Sequence, residues 1–384
     1  MNYQEINELY ELNIYPRRNI TLVRGSGALL WDDLGNEYID CSAGIGVANV
    51  GHANSDVAAA ISHQAQTLLT CANVFFNDVR AQLVEKLVQM APPGLDRVFL
   101  CNSGAESIEA AIKFARLAGG GRSRFVCATR GFHGRTMGAL SATFKKEYRE
   151  PFQPVVPGFE FVPFNDFEKL SNAVNENTAA IILEPVQGEG GVRIPGPDYF
   201  QNVQNLCKER RVLLIIDEIQ TGFCRTGKMF ACEHYGLVPD LLCLAKAIAG
   251  GVPMGAVLCG GRIDVKPGQH GSTFGGNPLA CSAALAAIHF MEVKNLAIRA
   301  ADLGDYFIER FAIPWPPIVR SVRQIGLMIG IELKERAQPY LVRLLELGIL
   351  ALPAGPTVIR LLPPLVINEA QLDRVVQALR EALR

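Results

Sequence analysis

From residue 97 onward, short and continuous apolar runs alternate with longer amphipathic stretches. RVFLCN (97–102), RFVCAT (124–129), FEFVPF (159–164), AAIILEPV (179–186), VLLIIDEI (212–219), DLLCLAKAI (240–248) and GAVLCGG (255–261) each predict a strand. Several are apolar at every position rather than at alternate ones, the pattern of strands buried on both faces. Helical spacing over 103–118 and 199–210 fills gaps between them. Together they predict an α/β large domain, with a mostly parallel mixed sheet flanked by helices. The pattern changes toward the C-terminus. An Ala-rich helix over 279–292 precedes strand candidates in SVRQIGLMIGIEL and TVIRLLPPLVI and amphipathic helices over 339–347 and 369–383, which predict a small α+β domain. Near the start, GALLWDDLGNEYIDC predicts a hairpin turning at Asp33-Leu34-Gly35-Asn36. The expected organisation is an N-terminal segment (1–50) joining the small lobe, a large domain (51–296) and a C-terminal small domain (297–384).

Composition narrows the function. The 384 residues are 49% hydrophobic and 20% charged, a globular balance. Lys and Arg (37) nearly match Asp and Glu (38), so no nucleic-acid or anionic-membrane surface is expected. The first twenty residues are polar and mixed in charge, without the apolar core of a signal peptide, and no run is long enough to span a membrane. The 10 cysteines are scattered without a C-x-x-C pair, and the 6 histidines form no metal-binding cluster. A cytoplasmic protein with reduced thiols and no metal is the expectation.

Several segments offer chemistry, each beside a plainer reading. Asn102-Ser103-Gly104-Ala105-Glu106 opens a helix after a strand, which suits either an anion site or an ordinary N-cap by Ser103. Asp217 ends a very apolar strand, where it would either face a cationic heterocycle or cap the following loop. GFCRTGK (222–228) mimics a nucleotide phosphate loop, but Met229 stands where a magnesium-binding hydroxyl is needed, and the preceding acids would repel phosphate. Lys246 lies in an apolar run and must be neutral, paired, covalently bonded or snorkelling. In RGFHGRT (130–136), Phe132 offers a ring to stack on a flat ligand and Arg135 a fork for a carboxylate. GSTFGGNP (271–278) is a second hydroxyl-bearing, glycine-rich loop before a helix.

Taken together, NSGAES, GFHGRT, EPVQGEGG, IDEIQTGFCRTGK, LAKAIAGG and GSTFGGNP resemble the class III, fold-type-I pyridoxal-phosphate aminotransferases over nearly the whole chain. Within them the sequence is most similar to the acetylornithine aminotransferases. The phrase LPAGPTVIRLLPPLVI leans toward the branch acting on LysW-carrier-bound aminoadipate semialdehyde. The resemblance implies that Lys246 carries pyridoxal 5'-phosphate as a Schiff base and moves the proton once substrate displaces it. Asp217 would hold the pyridine nitrogen protonated, Gln220 would bond the phenolic oxygen and Phe132 would stack on the ring. Ser103, Gly104 and Ala105 would bind the phosphate, with Thr273 of a neighbouring subunit in a homodimer. Arg135 would hold the distal carboxylate, with Ser272 as a further substrate contact. Arg360 would bind the α-carboxylate of glutamate, and Glu189 would mask Arg360 when a terminal-amine substrate is present. The implied reaction exchanges glutamate and 2-oxoglutarate with N-acetylornithine, or with lysine on an acidic carrier protein. Another ω-aminotransferase, for ornithine or 4-aminobutyrate, or a glutamate-1-semialdehyde aminomutase, is the alternative. Arg17, Arg18 and Lys145 are basic candidates for a carrier contact.

Overall fold

The apolar runs form one seven-stranded sheet in the computed structural model, which describes residues 2–311 and 314–384. From edge to edge the strands are Leu95–Cys101, Gly255–Gly260, Leu241–Leu244, Leu213–Asp217, Thr178–Leu183, Arg124–Ala128 and Phe159–Val162. Gly255–Gly260 runs antiparallel to both neighbours, and the remaining pairings are parallel. Thr178–Leu183, Leu213–Asp217 and Leu241–Leu244 are buried at every residue. Ile181, Leu183, Leu214 and Ile216 face one hydrophobic cluster, while Ala180, Ile182, Leu213 and Ile215 face another. Burial on both faces explains why their sequences show no alternation.

Helix Gly104–Ala118 lies on one face, and Pro278–Val293 lies on the other with Ser55–Thr67 and Asp78–Met90. The last two helices escape the apolar pattern for a physical reason. They bury only Val57 and Gln64, and Leu83 and Leu87, so neither presents a broad stripe.

A four-stranded antiparallel sheet near the C-terminus runs Val319–Ile325, Met328–Leu333, Val358–Leu361, Leu352–Pro353. The predicted N-terminal hairpin is present as Leu29–Asp32 and Glu37–Asp40, closed by Asp32, whose Oδ1 accepts the N–H groups of Leu34 and Asn36. Leu22–Ser26 adds a third strand, and Ile349–Leu350 pairs parallel with Glu37–Asp40, so the start of the chain is stitched to its end.

One expected strand ends early. Leu241–Leu244 stops before Lys246, which opens a 3-10 turn, Lys246–Ala249, with φ of 47°. Apolar character continues because Ala247, Ile248 and Ala249 are buried in that turn. Among the described residues no single helix is long and apolar enough to cross a membrane. All ten cysteines are free thiols, nine of them buried.

Candidate active site

Asp217 ends its strand at the carboxyl edge of the parallel sheet, where open α/β sheets bind ligands. A cavity of about 460 Å³ opens at this edge. Its wall includes Ser103, Gly104 and Ala105 from a helix start, Phe132 and Arg135 from one loop, and Glu189, Asp217, Gln220 and Lys246. Thr273, Ser272 and Arg360 complete the sequence-derived set but lie outside that lining.

Two hydrogen-bond donors hold Asp217. Its Oδ1 accepts the backbone N–H of Ile219 at 3.0 Å, and its Oδ2 lies 2.7 Å from His133 Nδ1. Opposite an ionised carboxylate, which can only accept, the tautomer that fits has its proton on Nδ1. His133 is buried, and sequence reasoning passed over it although it sits beside Phe132. Its partner is 84 residues away, and only the sheet brings the two together. Lys246 reaches the cavity from its left-handed position. Burial lowers its pKa, and the nearby Glu189 and Asp217 only partly oppose that. A less protonated amine is a better nucleophile toward carbonyl carbon.

The N-cap reading of the 102–106 segment holds. Ser103 caps the helix, its Oγ accepting the N–H of Glu106 at 3.2 Å. The first-turn N–H groups have no intrahelical acceptor, and Gly104 and Ala105 line the cavity. Gly104 packs tightly here, since a Cβ on it would lie 2.9 Å from Cδ1 of Ile219, the residue whose N–H holds Asp217.

A buried cation lies behind the wall. Arg360 is 2% exposed, and its Nη1 donates to Glu189 Oε1 at 2.6 Å and to Gln220 Oε1 at 3.2 Å. Burial alone would raise the Glu189 pKa, but the Arg360 guanidinium outweighs it and holds the carboxyl below its ordinary value. Glu189 is therefore an ion-pair partner and not a freely solvated residue of a glycine-rich turn.

Arg135 is exposed and stacks on an aromatic residue that the sequence reading did not single out. Its guanidinium lies 3.3 Å from the Tyr148 ring centroid, and Lys145 Nζ lies 4.4 Å from the same centroid. Phe132 meets Tyr148 edge-on at 6.4 Å. Lys145 therefore stands near Arg135, whereas Arg17 pairs with Glu11 and Arg18 donates to the Ala351 carbonyl. Ser272 Oγ accepts from Asn102 Nδ2 at 3.1 Å, next to the helix start, and Thr273 is exposed.

The loop that mimics a nucleotide site has another role. Residues 222–226 are buried. Glu218 accepts the N–H groups of Ala231 and Cys232 and the Thr221 hydroxyl, which folds the loop back on itself. Arg225 donates to the carbonyls of Leu327 and Pro363 and to Asn49 Oδ1, tying the loop after Asp217 to both ends of the chain. Burial lowers the pKa of Arg225 to about 9.

The chain matches the family model "Aminotransferase class-III" over residues 14–383. A [LysW]-aminoadipate semialdehyde transaminase of Deinococcus radiodurans is 48% identical, covering 97% of this chain and 88% of the relative. An acetylornithine aminotransferase of Methanosarcina acetivorans is 46% identical over 98% of this chain and 95% of its own length. Among solved structures, the ornithine aminotransferase of Toxoplasma gondii superposes with a TM-score of 0.95 at 35% identity, covering 99% of this chain and 94% of that one. The acetylornithine aminotransferase of Elizabethkingia anophelis gives 0.88 at 33%, with 99% and 98% covered. Together with the cavity at the sheet edge and the buried arginine behind its wall, these matches establish that the chain belongs to the class III aminotransferases.

Proposed function

We propose that this aminotransferase exchanges the amino group of glutamate with the terminal amine of N-acetylornithine, or of lysine held on a carrier protein, in arginine or lysine biosynthesis. Class III aminotransferases use pyridoxal phosphate. The cavity suits such a group: its volume is that of a small-molecule site, ~300–1,000 Å³. It joins an aromatic ring, an anionic floor, an amine of lowered pKa and a helix start. The bound cofactor supplies an electron sink for the electrons released when a substrate C–H bond breaks.

The remaining work falls to side chains. Lys246 Nζ would hold the cofactor covalently and then take and return the substrate proton. Asp217, fixed by His133 and Ile219, would face the cationic ring nitrogen. Phe132 would stack on the ring, Gln220 would bond its phenolic oxygen, and Ser103, Gly104 and Ala105 would receive the phosphate. Arg135, oriented by Tyr148, would take the distal carboxylate or carrier attachment, with Ser272 nearby.

The observation that carries the substrate reading is the Arg360–Glu189 pair. An enzyme alternating between an α-amine and a terminal amine needs an arginine for glutamate's α-carboxylate. The same arginine must be masked when the other substrate binds, or it would draw that substrate in backwards. A mutase that never exchanges with glutamate has no such need. The deciding comparison is kcat/KM for N-acetylornithine against carrier-bound lysine, each with 2-oxoglutarate. Activity with 4-aminobutyrate or ornithine alone would overturn the assignment.

The same reading includes a homodimer. Leu68, Leu69, Val74, Phe75, Phe76 and Phe274 are exposed apolar residues. Asn73 Nδ2 bonds the carbonyls of Ser272 and Gly275, bringing the first segment beside the loop that carries Thr273. A second copy covering this patch would bring Thr273 to the neighbouring cavity. We divide the chain into an N-terminal segment (1–50), a large domain (51–296) and a small domain (297–384), and place the enzyme in the cytoplasm, in keeping with its free thiols.

A further inference from the structure

Glu184 follows the strand Thr178–Leu183, and Leu183 is paired with Ile216 of the adjacent parallel strand. The next residues along that register are Glu184 and Asp217, so two carboxyl groups stand side by side where the strands reach the cavity. Glu184 is only 8% exposed and lines the cavity, and its Oε2 is buried without a hydrogen-bond partner. Asp217 holds the donors: the Ile219 N–H and His133 Nδ1. The charged groups facing Glu184 are Asp217 and Glu189, which oppose its ionisation, and Lys246, which favours it; the Phe132 backbone N–H is a further, weaker aid.

Two neighbouring carboxyl groups in a desolvated site do not both ionise, and the one with fewer donors keeps the proton. We propose that Glu184 is maintained as a neutral carboxylic acid whose proton points into the cofactor cavity, so that the negative charge of the cavity floor is borne by Asp217. Burial, and next the charge of Asp217, hold the Glu184 carboxyl well above the usual carboxylate range. Glu184 is thus a positioning residue: it keeps Asp217 anionic without a competing charge and offers a donor on the same floor. The cofactor part rests on the function proposed above; the protonation state does not.

Glutamine mimics a neutral acid, with an NH2 donor group beside a carbonyl acceptor, whereas alanine supplies neither. Infrared difference spectra of the protein without cofactor, at neutral pH, are expected to contain the carbonyl stretch of a protonated carboxyl that disappears in Glu184→Gln. In the loaded enzyme, Glu184→Gln is expected to keep kcat within about threefold and leave the pH titration of the lysine-bound cofactor absorbance in place. Glu184→Ala is expected to lower kcat by about tenfold or more and shift that titration. A Gln variant as impaired as the Ala variant, or the absence of the protonated band, would show Glu184 ionised and overturn the proposal. The band present in a protein that binds no pyridoxal phosphate would uphold the proton on Glu184 while defeating the cofactor reading.

Discussion

Lys246 combines two costs that a structural lysine would avoid: a left-handed backbone and an amine out of water. Its lowered pKa has a definite sign for stability. The unfolded chain binds the lysine proton over a pH range in which the folded chain does not, so folding becomes more favourable as pH rises through that range. The thermal midpoint of cofactor-free protein should therefore climb with pH from the depressed folded value toward the ordinary lysine pKa. Lys246→Met should flatten that rise; an unchanged slope would mean that Lys246 is not the desolvated group. Asp217→Asn removes the charge at the floor while keeping its shape. By analogy with the loss of one preorganised electrostatic partner, a fall in kcat on the order of 10²–10³ is expected, with the fold retained by circular dichroism. A near-wild-type rate would mean that the ring nitrogen is held otherwise.

The helix Gly104–Ala118 packs on the sheet and opens at the cavity, where the proposed function puts the phosphate. Ser103→Ala removes its N-cap and should cost about 1 kcal/mol in denaturant unfolding of cofactor-free protein. It should also weaken cofactor binding in titration; intact binding would separate the cap from the phosphate site. Elements of this kind were legible in the sequence because their signals are local. Strand, cap and helix lie within 95–118, and two-sided burial leaves its mark as the unbroken apolar runs 179–183 and 213–216. The turn at Lys246 was not legible, because a buried turn is as apolar as the strand it ends. His133 was missed for a different reason. A histidine in a glycine-rich loop carries no sign of an aspartate on another strand, and Tyr148 likewise stands out only once Arg135 lies on its ring. Glu189 and Arg360, 171 residues apart, came from family resemblance and not from spacing.

At the scale of the molecule, the cavity draws on both ends of the chain. Arg225 locks the loop beyond Asp217 to Leu327, Pro363 and Asn49, and Arg360 enters from the strand preceding Pro363. The buried Arg360 and the strand end at Asp217 are thereby held in one register. The exposed Phe76, close in sequence to the Asn73 that bonds the 272–275 loop, would lie in the surface covered by a second copy in the proposed dimer. Phe76→Glu should shift sedimentation from dimer to monomer and weaken cofactor binding, because burying a charge in an apolar interface is costly. An unshifted dimer would place the interface elsewhere. The central claim is that one cavity alternates between glutamate and a terminal-amine donor, with Glu189 uncovering and covering Arg360. It is tested most directly by single-turnover absorbance of the loaded enzyme with each donor alone. Glutamate and N-acetylornithine, or carrier-bound lysine, should each convert the lysine-bound cofactor to its amine form, and Glu189→Gln should slow the terminal-amine donor more than glutamate. No response to glutamate, or equal slowing of both donors, would contradict it.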